Sequence, residues 1–240
     1  MLKSGINLHM SSDDVKLNGR YFRAGSEYYQ NNINDYARRL NNLPYIDYQV
    51  TKLNANMIMS EWFPKVDANV FISHSHRDVD LAKCVAGMLL EYGRKPFIDS
   101  CFWGYMLNLQ KQIDDKFARC GPVYDYDIRN QTTAHVHLMV ANSLLKTISR
   151  CEEIIFINTH ESVNRDSTEK EDVTESPWLY SELNFAKVLL EATNLNESIQ
   201  ASESVTMQYH VNLDFLDEKY FRDLEYYYSK KYGMASYGIG

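Results

Sequence analysis

The sequence predicts an α/β protein built on a doubly wound parallel sheet, and three observations support this prediction. From Asn69 onward, short apolar runs alternate with helical patterns, as in parallel strands joined by crossover helices. A polar loop follows the first apolar run and leads directly into a helix. The chain has 240 residues, of which 45% are hydrophobic, enough for one large core with appendages. We therefore expect one main domain.

Apolar runs and turn signals give the predicted order of elements. The predicted strands are 70–72, 96–99, 153–158 and 205–211, and the predicted helices are 79–92, 109–118, 132–148, the helix that starts at Pro177, and 214–232. Gly93 is placed to end the first of these helices, Thr132 or Thr133 to begin the third, and Ser176 to cap the fourth.

Changes in composition suggest how the chain is divided. Residues 1–66 are rich in Asn, Tyr and charge and have moderate helical spacing, which predicts an N-terminal helical extension packed on the main domain. Residues 67–240 form the predicted α/β domain, which ends in the C-terminal helix. Residues 109–131 contain a Tyr- and Asp-rich stretch that predicts a surface insertion.

Charge and cysteine content narrow the function classes. A formal net charge of −7 argues against nucleic acid as a partner, because phosphate-tracking proteins need a concentrated positive field. The four cysteines contain no CxxC pair, so a reducing compartment fits best. The sequence lacks both an apolar run of about 20 residues and an apolar signal core, so we expect a cytoplasmic protein that does not bind a membrane.

In a doubly wound sheet, ligands bind beyond the carboxyl ends of the strands, where the strand order reverses. Residues 73–78, 99–105 and those from Asn158 onward are predicted to meet there. The first of these loops offers Ser73, His74 and His76 beside a helix N-terminus, where phosphate or ribose oxygens are favoured. Asp78 in the same loop is also a natural N-cap for that helix.

The helix from Pro177 carries the strongest chemical candidate. At ~100° per residue, one stripe faces the sheet, formed by Leu179, Leu183, Ala186 and Leu190. Trp178 and Glu182 border this stripe on opposite flanks. A carboxylate near an indole in half-dry surroundings is suited to stabilising positive charge on a ribose ring. The alternative is that Trp178 anchors the core and Glu182 is a solvated helix residue.

Other candidates carry less specific signals. Asp99 ends the second strand, and the following loop contains Trp103 and Tyr105. These aromatic residues either stack on a base, seal a partner interface, or form a hydrophobic plug under the loop. Cys101 has no activating neighbour in the sequence, so it is a weak candidate for a nucleophile. The two HxH pairs, one at His74 and the other at His135, do not predict a metal site, because the second pair lies in a predicted helix and its rings diverge.

Taken together, these residues resemble the Toll/interleukin-1 receptor (TIR) domain family, whose fold is flavodoxin-like. The matching segments are 71–74 for the first-strand motif, 97–99 for the second strand, 100–108 for the BB loop, and 178–182 (Trp-Leu-Tyr-Ser-Glu) for the Trp-x-x-x-Glu of the catalytic helix. The resemblance covers roughly residues 68–211. Residues 74–76, His-Ser-His, depart from the aromatic and basic pair common after the family's serine.

The resemblance implies an NADase in which Glu182 cleaves the nicotinamide–ribose bond of NAD+. Ser73, His74, His76, Asp99, Trp103, Tyr105 and Trp178 are the implied substrate-binding residues, and NAD+ is a substrate, with no separate cofactor and no metal. The chemistry is consistent, since nicotinamide in NAD+ is already cationic and leaves without a general acid, so a single carboxylate suffices. Water would then give ADP-ribose, and an internal nucleophile a cyclic isomer.

The arrangement also resembles stand-alone bacterial TIR proteins of Thoeris-type anti-phage defence. This implies self-association through TIR surfaces, a phage-derived trigger, and a separate effector that responds to the nucleotide product. Two alternatives stay open. One is a non-catalytic TIR adaptor that only assembles with like domains. The other is an enzyme similar to nucleoside deoxyribosyltransferases, which also uses a glutamate on a sugar.

Overall fold

The computed structural model describes residues 2–41, 58, 67–165, 172–192 and 209–233. The strands are β1 (Ser4–His9), β2 (Val70–Ser73), β3 (Pro96–Ile98), β4 (Arg119–Cys120), β5 (Val123–Tyr124), β6 (Glu153–Asn158), β7 (Asn164–Arg165), β8 (Asp172–Thr174), β9 (Tyr209–His210) and β10 (Asp217–Tyr220). The α-helices are α1 (Ser12–Leu17), α2 (Gly19–Asn41), α3 (Val79–Glu91), α4 (Trp103–Phe117), α5 (Tyr126–Arg150), α6 (Pro177–Ala192) and α7 (Phe221–Tyr232). Two short 3-10 helices span His76–Asp78 and Asp99–Phe102.

Five parallel strands form the central sheet in the order β10-β1-β6-β2-β3, which confirms the predicted α/β class. Read from β3 across the sheet, the strands fill the positions of the flavodoxin-like order 2-1-3-4-5. Strands 1 to 5 of the flavodoxin-like order correspond to β2, β3, β6, β1 and β10 of this protein, respectively. Strands β2 and β6 form the apolar centre, where Val70 to Ile72 and Ile154 to Ile157 are fully buried.

The N-terminal segment departs from the prediction. A purely helical extension over residues 1–66 is wrong for Ser4–His9, which pairs with β6 on one side and β10 on the other. The polar Asn7 interrupts the apolar run and hides the strand in the sequence. Inside the sheet its side-chain amide is buried and donates a 2.7 Å hydrogen bond to Glu218 Oε1. Residues 12–17 and 19–41 are helical as predicted.

The C-terminal region differs from the prediction as well. The strand predicted at 205–211 is described only at Tyr209–His210, where it joins β7 and β8 in a three-stranded antiparallel sheet. Residues 205–208 lie outside the described residues. The fifth strand of the main sheet is Asp217–Tyr220, so the last helix begins at Phe221 and not at 214. The charged sequence of β10 does not predict a strand. This strand lies at the edge of the sheet and gains its conformation from pairing with β1.

The predicted insertion at 109–131 contains an exposed hairpin of β4 and β5 between α4 and α5. Helix α5 begins at Tyr126, six residues before the predicted cap at Thr132 or Thr133. The cause is Asp125, whose carboxylate accepts a 3.0 Å hydrogen bond from the backbone N–H of Ile128. Within the described residues, none of the helices combines the length and apolarity that crossing a membrane requires.

Helix α2 crosses α3 at close range, and two glycines make the approach feasible. A Cβ atom on Gly25 would lie 1.7 Å from the carbonyl oxygen of Lys83, and one on Gly87 would lie 1.9 Å from that of Tyr21. Both obstacles are backbone atoms, which cannot move aside as a side chain does. The contact holds the N-terminal segment against the first crossover helix of the sheet.

We predict that Gly25→Ala and Gly87→Ala each lower the free energy of unfolding by about 2 kcal/mol or more, because the helices must separate to admit the methyl group. Urea unfolding measures the change. Gly19→Ala, which like Gly25 lies in α2, is the control, since nothing lies within 4 Å of its added Cβ. Equal effects at positions 19 and 25 would contradict the close crossing.

Candidate active site

Four buried side chains meet at the carboxyl edge of β2 and β3, and we call Ser73, His74, Asp99 and Glu182 the carboxylate cluster. None of them is more than 3% exposed. Ser73 Oγ donates a 2.7 Å hydrogen bond to Glu182 Oε2. His74 Nδ1 lies 2.7 Å from Asp99 Oδ1, within ion-pair distance, although this ring nitrogen lacks hydrogen-bond alignment with the carboxylate. The predicted meeting at this edge is confirmed for Ser73, His74 and Asp99, whereas Glu182 joins them from a helix for which that meeting was not predicted.

Helix α6 brings Glu182 into this cluster. Ser176 caps the helix as predicted, because its hydroxyl oxygen accepts a 3.3 Å hydrogen bond from the backbone N–H of Leu179. The predicted stripe faces the core, with Leu179 and Leu183 both 2% exposed. Glu182 is itself only 1% exposed, so the alternative of a solvated helix residue is wrong. The helix therefore buries a carboxyl group at the end of the sheet.

The surroundings of Glu182 favour its protonated form. Burial raises the pKa of this carboxyl well above its usual value, and the negative charge of Asp99 raises it further. The hydrogen bond from Ser73 opposes these effects in part. A side-chain hydrogen bond with Asp99 also favours the protonated form. Once Glu182 loses its proton this hydrogen bond is lost, so the ionised carboxylate is well placed to interact with a cation or a donor that enters the site.

A cleft of about 290 Å³ opens beside the carboxylate cluster. It is lined by His74, His76, Asp99, Met106, Leu107 and Trp178, among others. Glu182 lies behind this wall. Trp178 is half-buried, and the His137 ring packs edge-on against its indole with 5.7 Å between ring centroids. Trp178 thus lines the cleft, as a binding residue would, and also packs against the core, as an anchoring residue would. The contact with His137 was not predicted.

The segment predicted to be a BB-type loop, residues 100–108, is helical. It consists of the 3-10 helix Asp99–Phe102 and the first turns of α4, which starts at Trp103. The reason is the spacing of Met106, Leu109 and Ile113, which are all buried and extend the helical pattern towards its N-terminus. Trp103 and Tyr105 therefore lie in the first turn of a helix, and their side chains lie outside the described part of the structure.

Two further predictions, on Asp78 and Cys101, have clear outcomes. Asp78 stands at the N-cap position of α3, but its carboxylate accepts a hydrogen bond from Thr159 instead of capping the helix. Burial raises the pKa of the Cys101 thiol, which agrees with its weak standing as a nucleophile. His74 is buried while His76 is exposed, and within the described residues no group of three or more His, Cys, Asp or Glu side chains is arranged to hold a metal ion.

Searches against protein-family models, curated proteins and solved structures give no match for this chain. The geometry of the carboxylate cluster and of the cleft beside it is therefore the basis for a functional assignment.

We predict that the free energy of unfolding of Glu182→Gln, relative to that of the wild type, increases as the pH rises. The unfolded chain ionises this group near pH 4.5, whereas the folded protein keeps it protonated to higher pH. The wild type therefore loses stability between these two pKa values, by about 1.4 kcal/mol per pH unit, and the glutamine variant does not.

Urea unfolding of both proteins at several values between about pH 5 and pH 8 measures this difference. Glu191→Gln, at an exposed position of the same helix, is the matched control and should show no such trend. A stability difference that is independent of pH would contradict a raised pKa at Glu182.

Proposed function

We propose that this protein is a TIR-type NAD+ hydrolase or cyclase that cleaves the nicotinamide–ribose bond with Glu182. The observation that carries the proposal is the Glu182 carboxyl, held by Ser73 and Asp99 at the carboxyl edge of the sheet, next to a cleft bordered by Trp178. The spacing of Trp178 and Glu182 along one helix supports the TIR fold as the finer description of the flavodoxin-like sheet.

The raised pKa of Glu182 fits a cationic substrate. Before substrate binds, a proton neutralises the buried carboxyl, and this proton passes to solvent when it is displaced. A ribosyl-nicotinamide cation that enters replaces this proton, because a nearby positive charge lowers the pKa of a carboxyl group. The ionised Glu182 then stabilises the positive charge that grows on the ribose as the bond to nicotinamide breaks. Ser73 orients the carboxylate through its hydrogen bond, so little reorganisation is needed during the reaction.

The fate of the ribosyl cation decides the product. Attack by water gives ADP-ribose and one released proton, whereas attack by a nucleophile of the same molecule gives a cyclic isomer. Because Glu182 is 1% exposed and does not line the cleft, residues that line the cleft must shift before substrate reaches the carboxylate. We propose that self-association of copies, prompted by a phage-derived trigger, supplies this opening, and that a separate effector responds to the product in anti-phage defence.

We predict that the purified protein at high concentration releases nicotinamide from NAD+ and that Glu182→Gln lowers the rate by about 10²-fold or more. Mass spectrometry follows nicotinamide and the adenine-containing products, with retention time separating ADP-ribose from its cyclic isomers. Glu191→Gln is the control. Absence of release by every variant, even with extract from phage-infected cells, would refute the enzyme and favour a TIR adaptor.

Asp99 favours a second candidate, an enzyme similar to nucleoside deoxyribosyltransferases. A neutral base leaves poorly unless a general acid protonates it. The cluster contains a second buried carboxyl, Asp99, which has His74 as its neighbour. In such a reaction the proton of Glu182 passes through Asp99 to the base as the C1′–N bond breaks, and the ionised Glu182 stabilises or attacks C1′. The two candidates thus assign Asp99 different duties.

Asp99→Asn separates these candidates. For NAD+ we expect activity to persist, with the pH at which the rate rises shifted downward, because removal of the Asp99 charge lowers the pKa of Glu182. For deoxyinosine or deoxyadenosine with a free acceptor base, the deoxyribosyltransferase-like candidate instead predicts a loss of about 10²-fold or more. Profiles of kcat/KM against pH for both substrate types, measured by chromatography, distinguish these outcomes.

A further inference from the structure

A second cleft, of about 430 Å³, lies at the same edge of the sheet. It is formed by the segments that follow β1, β2 and β6, and we call it the switch-point cleft. From β2 the chain continues to β3 on one side, while the next strand of the main sheet, β6, lies on the other. This reversal of strand order is where doubly wound proteins bind their ligands. The candidate active site lies beside it, at the ends of β2 and β3.

The walls of the switch-point cleft combine hydroxyl and carboxylate groups. Asp78 is only 7% exposed, and its Oδ2 accepts a 2.6 Å hydrogen bond from Thr159 Oγ1. An ionised carboxylate has about four acceptor positions, so this one hydrogen bond leaves capacity for further donors. Ser12 lines the same cleft from the first turn of α1. Adjacent hydroxyls of a ribose are donors that suit such a fixed carboxylate.

An apolar surface faces these polar groups. Met10 and Leu81, which are 8% and 7% exposed, line the cleft together with the half-buried Val15. A planar base can lie on such a surface while its ribose reaches Asp78. The volume also falls within the range of about 300–1,000 Å³ that small-molecule sites occupy. The combination of an apolar wall and a buried carboxylate matches a nucleoside better than a bare sugar or a bare phosphate.

A single turn separates the two clefts. His76 lines the cleft of the active site, whereas Arg77 and Asp78 line the switch-point cleft. This turn, His76–Asp78, is a 3-10 helix, which rises by about 2 Å per residue, so the ridge is narrow. Arg77 stands on the ridge with its side chain 78% exposed and pairs with Glu161 at 2.8 Å. A pyrophosphate that crosses the ridge would meet this guanidinium and the N-terminus of α3.

We propose that the switch-point cleft binds the second nucleoside of a dinucleotide whose reactive N-glycoside lies in the cleft beside Glu182. The Asp78 carboxylate accepts hydrogen bonds from the ribose hydroxyls, and the base lies against Leu81 and Met10. Arg77 leaves its ion pair with Glu161 and binds the bridging phosphates instead. The inference rests on the proposed glycosidic activity and deepens it, because it assigns the site to dinucleotides and not to mononucleosides.

The binding test does not need catalysis. Calorimetric titration of Glu182→Gln protein with AMP and with ADP-ribose measures occupation of the switch-point cleft directly. Adding Ser12→Trp to this variant fills the cleft and should weaken binding of both ligands at least tenfold. Adding Asp13→Trp instead is the matched control, since Asp13 is an exposed neighbour in the same helix that does not line the cleft. Absence of AMP binding at millimolar concentration, or equal binding in both tryptophan variants, would overturn the proposal.

A kinetic test in protein that retains Glu182 asks whether the two clefts bind the two halves of one molecule. Nicotinamide mononucleotide carries the same reactive bond as NAD+ but lacks the second nucleoside. Ser12→Trp should raise KM for NAD+ at least tenfold and leave that for the mononucleotide unchanged, while Asp13→Trp changes neither. Equal effects on both substrates would overturn the dinucleotide assignment yet leave the glycohydrolase intact. If neither substrate is cleaved, the proposed function fails, and the AMP titration then decides the nucleoside site alone.

Discussion

The contact between Ser73 and Glu182 is the interaction on which the candidate active site depends. It joins the end of β2 to helix α6, which lies more than a hundred residues later in the chain. Burial gives this contact its chemical character. In water Glu182 would be an ordinary ionised carboxylate, whereas beneath the cleft burial and the neighbouring Asp99 raise its pKa. Such a group gains most from a ligand that brings positive charge.

The architecture supports this contact through an unusual use of the N-terminal strand. The flavodoxin-like order is complete only because β1 occupies the fourth position, between β6 and β10. The segment that follows β1 returns across the sheet, and its helix α2 crosses α3 through Gly25 and Gly87. The same segment supplies Ser12 to the switch-point cleft. The N-terminal residues therefore contribute to both the core and the edge where ligands are expected.

The sequence predicted the parts of the site that local pattern controls. A buried strand that ends in Ser73 and a second that ends at Asp99 must present these residues at one sheet edge, whichever partners they find. The stripe of Leu179 and Leu183 likewise orients α6. Local pattern failed where competing signals were close, as at Trp103, where a glycine and several aromatic residues suggested a loop. There the buried spacing of Met106 and Leu109 prevailed and extended the helix.

The sequence by itself determined the α/β class, the central strands β2, β3 and β6, and the candidacy of Glu182. Each of these depends on runs or periods a few residues long, which act before distant segments meet. Only the tertiary structure decided that β1 and β10 complete the sheet. Strand β1, which contains Asn7, forms by pairing with both β6 and β10, and the charged β10 forms by pairing with β1. It also decided how deeply Glu182 is buried, because burial depends on residues from distant parts of the chain that pack around the carboxyl, and no local pattern records that packing.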